Sequence, residues 1–182
     1  GGIQTPRLLL LSRSAMFPDG IGNRHDRVGR GFNEHSAPNI YARIPHNRHT
    51  VVPKHKIGRT HQFYEAFRGE GLGSVVPVII QSVAFPHHLV RYKLRDMPRH
   101  AAKILSRTVR ASLYMGCICE QRPVDSNRVA LSTRRDAFGE PIAHLMFSYH
   151  PDDLKLIERS RQLLHGLFDR VGATDREEIE VT

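Results

Sequence analysis

Apolar and polar residues alternate along several short segments of the chain, and this period of two is typical of half-buried β-strands. The clearest case is residues 112–121 (SLYMGCICEQ), which predict a strand with two different faces. One face holds Leu113, Met115, Cys117 and Cys119, and the other holds Tyr114, Gly116, Ile118 and Glu120. Further strands are predicted over residues 39–44, 75–84, 127–132 and 142–149.

Local signals limit where three of these strands can lie. Pro77 has no backbone N–H, so the strand over 75–84 is expected at a sheet edge, at a bulge, or with Pro77 near its start. Residues 134–141 separate the last two strands, and Gly139 within them can adopt a positive φ. This spacing predicts an antiparallel hairpin.

The longest amphipathic segment predicts a helix that packs across the sheet. Asp152 and Asp153 lie in its first turn, where carboxylates interact favourably with the helix dipole, and the helix ends near Gly172. Its buried stripe is predicted to be Leu154, Ile157, Leu164, Phe168 and Val171. A second helix is predicted over 97–110, and strands followed by helices on one face favour an α+β fold with a mainly antiparallel sheet.

The start of the chain predicts a short helix and then a loop. Thr5 and Pro6 fit the N-cap and the first helical position, and the leucines that follow predict a helix buried on several sides. Residues 15–30 are rich in glycine and other turn residues, which predicts tight turns and a candidate domain boundary. Residues 46–60 are polar, basic and without apolar period, so a long loop or lid is expected there.

Composition and charge then narrow the class of protein. A chain of 182 residues with 40% hydrophobic and 25% charged residues is ordinary for a globular domain. Its 27 Lys and Arg against 18 Asp and Glu give a net charge of +9, which raises nucleic acid or an anionic membrane as partners. The longest apolar run covers residues 8–11, far short of the roughly 20 residues that span a bilayer.

Three residue clusters invite chemical hypotheses, and each has a plainer alternative. The helix over 97–110 carries one basic stripe, Arg99, Lys103, Arg107 and Arg110, which could bind phosphate but lacks aromatic stacking groups and more simply faces solvent. Several of the 12 histidines lie in a basic loop, His46, His49, His55 and His61, and a further pair is His87 and His88. The surrounding cations disfavour a zinc site. Cys117 and Cys119 share one strand face, which favours packing over a disulfide or redox chemistry.

Four motifs, in order along the chain, resemble those of the glucose-methanol-choline oxidoreductase family. Residues 1–12 (GGIQTPRLLLLS) are similar to the second signature of the family, and residues 28–35 (VGRGFNEH) to its Val-Gly-Arg-x-Phe-x-x-His motif. Residues 127–131 (NRVAL) and 136–141 (DAFGEP) resemble its later pair of motifs. The Gly-Ile-Gly-Asn element at 20–23 lies eight residues after Ser12, a departure that resembles a bacterial dehydrogenase subgroup.

The resemblance implies a FAD-dependent enzyme that oxidises an alcohol, sugar or polyol by passing hydride to the flavin. It implies that residues 1–28 are the end of a FAD-binding domain, with a short helical remnant, and that 29–182 are most of a substrate-binding domain. The glycine-rich dinucleotide motif is then expected before Gly1 and the catalytic His after Thr182, so no catalytic residue is expected in this chain. The electron acceptor stays open between oxygen, a quinone and a partner subunit.

Two sets of candidate binding residues are predicted, the first from the resemblance and the second from the pattern of the strand over 112–121. Gly1, Gly2 and Thr5 are expected near FAD. Tyr114 and Glu120 are expected to line the substrate pocket, because Gly116 between them leaves room on that strand face; the alternative is that both simply face solvent. A second functional hypothesis is a non-catalytic basic module that binds nucleic acid or anionic surfaces.

Overall fold

A computed structural model describes residues 1–43, 56–81 and 112–179 of the chain. In these ranges it contains two α-helices, one 3₁₀ turn at Arg68–Glu70 and seven strands. The helices are α1 (Gln4–Leu11) and α2 (Pro151–Arg170). The strands are β1 (Asn39–Arg43), β2 (Lys56–Arg59), β3 (Val75–Gln81), β4 (Ser112–Cys119), β5 (Arg128–Arg135), β6 (Pro141–Met146) and β7 (Thr174–Ile179). The helix predicted over 97–110 and its basic stripe lie outside the described residues.

The chain forms two compact units, and each is assembled from two separate stretches of sequence. The first unit comprises Gly1–Glu34 and Gln121–Leu154, and the second comprises His35–Glu120 and Lys155–Thr182. This division into units shows which stretches of the chain pack together. The assignment of 1–28 and 29–182 to two functional domains rests on the family resemblance and stays a prediction.

The second unit is built on a five-stranded sheet in the order β2-β3-β4-β1-β7, in which every neighbouring pair is antiparallel. Helix α2 packs against one face of this sheet. The shared core comprises Ile40, Ala42, Phe67, Val75, Met115, Cys117, Cys119, Leu156, Leu164, Phe168 and Ala173. An antiparallel sheet with a helix on one face confirms the predicted α+β class.

The buried stripe of α2 differs from the predicted one. Leu164 and Phe168 are fully buried as expected, but Leu154 is 54% exposed and Val171 is 47% exposed. The stripe instead continues through Leu156 and Ser160, at spacings of four residues. The apolar pattern missed this stripe because a serine stands in its centre, where its hydroxyl lies 3.2 Å from the thiol of Cys119.

The alternation predicted for β4 is confirmed in the described side chains. Met115, Cys117 and Cys119 are buried on the α2 side, and the two cysteines are free thiols. Burial raises the pKa of Cys117 to about 12, and burial also raises the pKa of Cys119. Both thiols therefore stay protonated at neutral pH, which agrees with a packing role rather than a nucleophilic one.

Two strands, β2 and β7, lie where no strand was predicted, and Pro77 lies near the start of β3, one of the three positions expected for it. Residues 56–59 of the predicted loop form β2, which pairs with β3 and makes β3 an interior strand. Pro77 is accommodated because β2 pairs with β3 only from Val78 onward, so Pro77 lies just past the end of β2. Strand β7 was not predicted, since its sequence TDREEI has no apolar alternation and consists largely of charged residues.

The first unit contains α1 and the hairpin of β5 and β6. The hairpin is antiparallel and Gly139 has φ +82°, as predicted. Helix α1 begins at Gln4, so the prediction of Thr5 as the N-cap was wrong; the backbone N–H of Thr5 already donates to Gly1. The expected burial of α1 on several sides was also wrong, because Leu10 is its one buried residue.

Candidate functional site

The sheet face opposite α2 carries Tyr114, the first of the two predicted pocket residues. Strand register places Tyr41 of β1 directly opposite Tyr114 and Asn39 directly opposite Gly116. Val76 of β3 lies opposite Ile118. We call this surface the tyrosine face and define it by these residues: Asn39, Tyr41, Val76, Tyr114, Gly116 and Ile118.

The two tyrosines form a contacting pair on this face. Their ring centroids are 4.8 Å apart with planes inclined by 55°. Burial raises the pKa of Tyr41 and of Tyr114 above the ordinary value of 10.0, and the neighbouring Tyr41 raises that of Tyr114 further. Both phenols therefore remain protonated at neutral pH and can each donate one hydrogen bond and accept others.

The space expected at Gly116 is occupied. A Cβ atom at Gly116 would lie 2.1 Å from Oδ1 of Asn39, whose side chain is mostly buried and whose amide donates to the carbonyl of Ala37 at 2.6 Å. The glycine is thus required by Asn39 rather than by an empty pocket. Sequence reasoning missed Asn39 and Tyr41 because their place beside β4 depends on long-range strand pairing.

Replacing Gly116 with alanine is expected to destabilise the second unit by about 1–3 kcal/mol, the usual cost of overpacking. The new methyl group would displace the Asn39 amide from its position over β4. Urea unfolding of Gly116→Ala, of Asn39→Ala and of the double variant measures this coupling. The double variant should lose less stability than the sum of the single variants; additive losses would contradict the contact.

Glu120, the second predicted pocket residue, lies beyond the end of β4 and binds a loop. Its carboxylate accepts a hydrogen bond from the backbone N–H of Ser74 at 3.0 Å, and its own N–H donates to the Ser74 carbonyl at 2.9 Å. Glu120 and Tyr114 are six positions apart in nearly extended chain, which separates them by about 20 Å. One small ligand therefore does not contact both, and Tyr41 is the nearer companion of Tyr114.

The residues expected near FAD lie at the start of the first unit. Gly1, Gly2 and Thr5 are exposed, and a Cβ atom at either glycine would meet nothing within 4 Å. No side chain caps the N-terminus of α1, but the N–H groups of Thr5 and Arg7 already donate to the carbonyls of Gly1 and Ile3, and Pro6 has no N–H. The described packing therefore does not explain the two glycines, and their role near a cofactor stays a prediction.

Two family-like motifs meet in the first unit and hold its backbone together. Arg30 and Arg128 form a β-bridge, and the N–H of Val129 donates to the carbonyl of Gly29 at 2.8 Å. Gly29 has φ +83°, and a Cβ atom there would lie 2.2 Å from the Val129 carbonyl oxygen. The glycine is required both by its conformation and by this close approach.

Asp26 joins the same two arginines through its carboxylate. Oδ1 accepts a hydrogen bond from Nη2 of Arg128 at 2.7 Å, and Oδ2 accepts one from Arg30. The hydrogen bonds from Arg128, and then from Arg30, hold the pKa of Asp26 well below its ordinary value of 3.8. Arg30 and Arg128 are therefore committed to an internal ion pair rather than presented to a ligand.

The depressed pKa predicts an acid sensitivity with a definite sign. Because the folded-state pKa of Asp26 lies below its unfolded value, its stabilisation is present above about pH 3.8 and is lost as the pH falls below that value. Asp26→Asn should lower the melting temperature at pH 7 and flatten its decline at low pH. Asp125→Asn, which removes an exposed pair with Arg27, is the control and should change both much less.

The remaining motif residues close the hairpin. The amide of Asn127 accepts a hydrogen bond from the N–H of Ser148 and donates to its carbonyl, each at 2.9 Å. Asp136 accepts hydrogen bonds from the N–H groups of Phe138 and Glu140 in the turn and forms a 2.7 Å ion pair with Arg7 of α1. These motif residues thus stabilise the first unit.

The positive charge of the described residues is largely balanced locally. Pairs of opposite charge within the units include Arg7–Asp136, Arg27–Asp125, Arg68–Glu65, Arg159–Glu70 and Arg176–Asp169. By contrast, the sequence ranges 44–55 and 82–111 together contain nine Lys or Arg against Asp96. The charge that suggested an anionic partner therefore lies mainly outside the described residues.

Residues 1–43, 56–81 and 112–179 contain neither a metal-binding cluster nor a membrane-spanning helix. No group of three or more His, Cys, Asp or Glu side chains converges in a way that could hold a metal ion. Neither α1 nor α2 is long and apolar enough to cross a bilayer. His46, His49, His55, His87 and His88 lie outside these ranges, while His61 lies near the ring of Tyr64.

Comparison with known proteins adds no assignment to this geometry. The chain matches no protein-family model, and no curated protein gives a significant match. The functional hypothesis therefore depends on the four ordered motifs and on the residues of the tyrosine face.

Proposed function

We propose that this chain is part of a FAD-dependent oxidoreductase that oxidises an alcohol, sugar or polyol, and that the tyrosine face forms one wall of its substrate pocket. The observation that carries the proposal is the pair of protonated phenols of Tyr41 and Tyr114 on the face of the sheet opposite α2. The four ordered motifs supply the family context. FAD would act as the hydride acceptor.

Hydride transfer requires the carbinol carbon of the substrate to be held in a fixed position and its hydroxyl to be oriented. A phenol suits the second task, because it can donate to or accept from a substrate hydroxyl without changing its own charge at neutral pH. Tyr41 and Tyr114 lie on paired strands whose opposite face is packed by α2, and such a support limits their movement. Their proposed role is to bind and orient; the base is expected elsewhere.

We infer that the start of α1 lies near the phosphate groups of the dinucleotide. Gly1 and Gly2 leave the backbone open on that side, no side chain caps the helix, and the helix dipole favours an anion there. On this proposal Gly1, Gly2 and Thr5 lie near FAD. Glu120 is better suited to holding the loop at Ser74 than to sharing a ligand with Tyr114.

Removing the phenol hydroxyls tests the proposed role of the tyrosine face. In the complete flavoenzyme, Tyr41→Phe and Tyr114→Phe should each lower kcat/KM for the alcohol by about 2–10-fold, the effect of one lost hydrogen bond. Tyr64→Phe is the matched control, because Tyr64 lies outside the tyrosine face and its ring is packed near His61. Unchanged kinetics in both test variants, with flavin still bound, would remove these residues from the pocket.

The alternative is a basic module that binds nucleic acid or anionic surfaces without catalysis. The observation in its favour is the concentration of nine Lys or Arg in residues 44–55 and 82–111. Such binding would weaken steeply with salt, because cations released from the phosphate backbone drive it. DNA binding of this kind, in a protein that binds no flavin, would favour the alternative.

A further inference from the structure

The described part of the chain contains four outer strand edges, and two of them carry charged side chains. In the five-stranded sheet the edges are β2 and β7. Strand β7 carries four charged residues among six, and β2 ends at the exposed Arg59. Charged side chains along an exposed edge disfavour pairing with a strand of another molecule.

The outer edge of β5 in the hairpin is also protected. At its start, the N–H of Val129 donates to Gly29, and the N–H of Phe32 donates to Asn127 just before the strand. At its end, β5 carries Arg134 and Arg135. A backbone segment and two cations thus cover this edge.

Strand β6 differs from the other three. Its sequence, PIAHLM, contains no Lys, Arg, Asp or Glu. Among the described residues, the backbone of 142–146 is paired on the β5 side alone. Two large apolar residues at its end, Leu145 and Met146, are 42% and 38% exposed, and Phe147 just after it is 37% exposed. An exposed, uncharged, apolar edge is a template for strand addition.

We propose that β6 pairs antiparallel with β6 of a second copy of this chain. The two hairpins would then form one four-stranded sheet in the order β5-β6-β6-β5, related by a twofold axis. A second copy is favoured as the partner because the uncharged strand meets its own sequence without like-charge repulsion. A two-stranded sheet is only marginally stable by itself, and three or more strands are usually needed for independent stability. The pairing would give a sheet of four strands.

The expected dimer is weak and reversible. One strand edge with its flanking apolar side chains covers less than the roughly 800 Å² per partner of a standard stable interface. Its formation should therefore depend on protein concentration. The inference is independent of the proposed enzymatic function, since it depends on β6 and the residues around it.

Sedimentation velocity of the 182-residue chain over a concentration series tests the proposal. The mass should rise from 20.7 kDa toward twice that value, and His144→Lys, which places a cation on the exposed middle of β6, should hold the protein at one chain. Thr174→Lys on β7 is the matched control and should associate like the parent. A single-chain mass at every concentration, or equal association of His144→Lys and parent, would overturn the proposal.

Hydrogen exchange of the unmodified protein provides a second, variant-free measurement. The backbone amides of 142–146 that face away from β5 should become more protected as the concentration rises. Association without added protection in β6 would place the interface elsewhere and refute the assigned edge.

Discussion

Replacing Gly29 with alanine is expected to unfold the first unit or to leave it only marginally stable. The left-handed conformation at φ +83° costs an alanine about 1–2 kcal/mol. The added Cβ would also lie 2.2 Å from the carbonyl oxygen of Val129, and this backbone contact is not relieved by rotating a side chain. With overpacking adding about 1–3 kcal/mol, the loss is a large part of an ordinary domain stability of about 5–15 kcal/mol.

Gly22→Ala separates the two causes of this loss. Gly22 also has a positive φ, at +75°, but a Cβ atom there would meet nothing within 4 Å. Its replacement should therefore cost only about 1–2 kcal/mol, from backbone conformation alone. Urea unfolding of both variants measures the difference, and equal losses would show that the close approach of Gly29 to β5 does not exist.

Leu156→Ala is the second substitution with a large expected effect, a loss of about 2–5 kcal/mol in the free energy of unfolding of the second unit. Leu156 is 1% exposed and belongs to the core between α2 and the five-stranded sheet. Removing its side chain would leave a cavity against that core. Thermal or urea unfolding gives the magnitude.

Leu154→Ala is the control, two residues away on the same helix. Because Leu154 is 54% exposed, its truncation should change stability by less than about 0.5 kcal/mol. Comparison of the two variants shows which face of α2 is buried. The observed buried stripe contains Leu156, whereas the stripe predicted from apolar spacing contained Leu154. A larger loss at Leu154 than at Leu156 would contradict the observed packing of α2.

The sequence predicts an element well where side-chain pattern and local burial agree. Strand β4 has a regular alternation, and its cysteines are buried on the expected face. Local residues also predict the turn at Gly139 and the long helix α2. Strand β7 is the opposite case: its backbone pairs with β1, while most of its side chains are charged, so tertiary pairing rather than propensity determines it.

The candidate site was predictable in part for the same reason. Tyr114 and Gly116 could be placed on one face of a strand from their spacing alone. Asn39 and Tyr41 could not, because their positions beside β4 follow from a strand register set by residues far apart in sequence. The filling of the space at Gly116 by Asn39 likewise depends on that register.

The motif residues have a physical role that is separate from catalysis. Gly29, Arg30, Asn127 and Arg128 close the backbone of the first unit through a bridge, an ion pair with Asp26 and an amide clamp on Ser148. Residues committed in this way stabilise the fold, and a fold alone does not imply a function. On the proposed function, substrate specificity would come from the tyrosine face rather than from these motif residues.

The most direct test of the proposed function is the flavin content and activity of the polypeptide encoded by the complete reading frame that contains these residues. The proposal predicts that this protein purifies with bound FAD and reduces an artificial electron acceptor when an alcohol, sugar or polyol is added. A protein that binds no flavin, oxidises none of these substrates and instead binds DNA with a steep dependence on salt would contradict it.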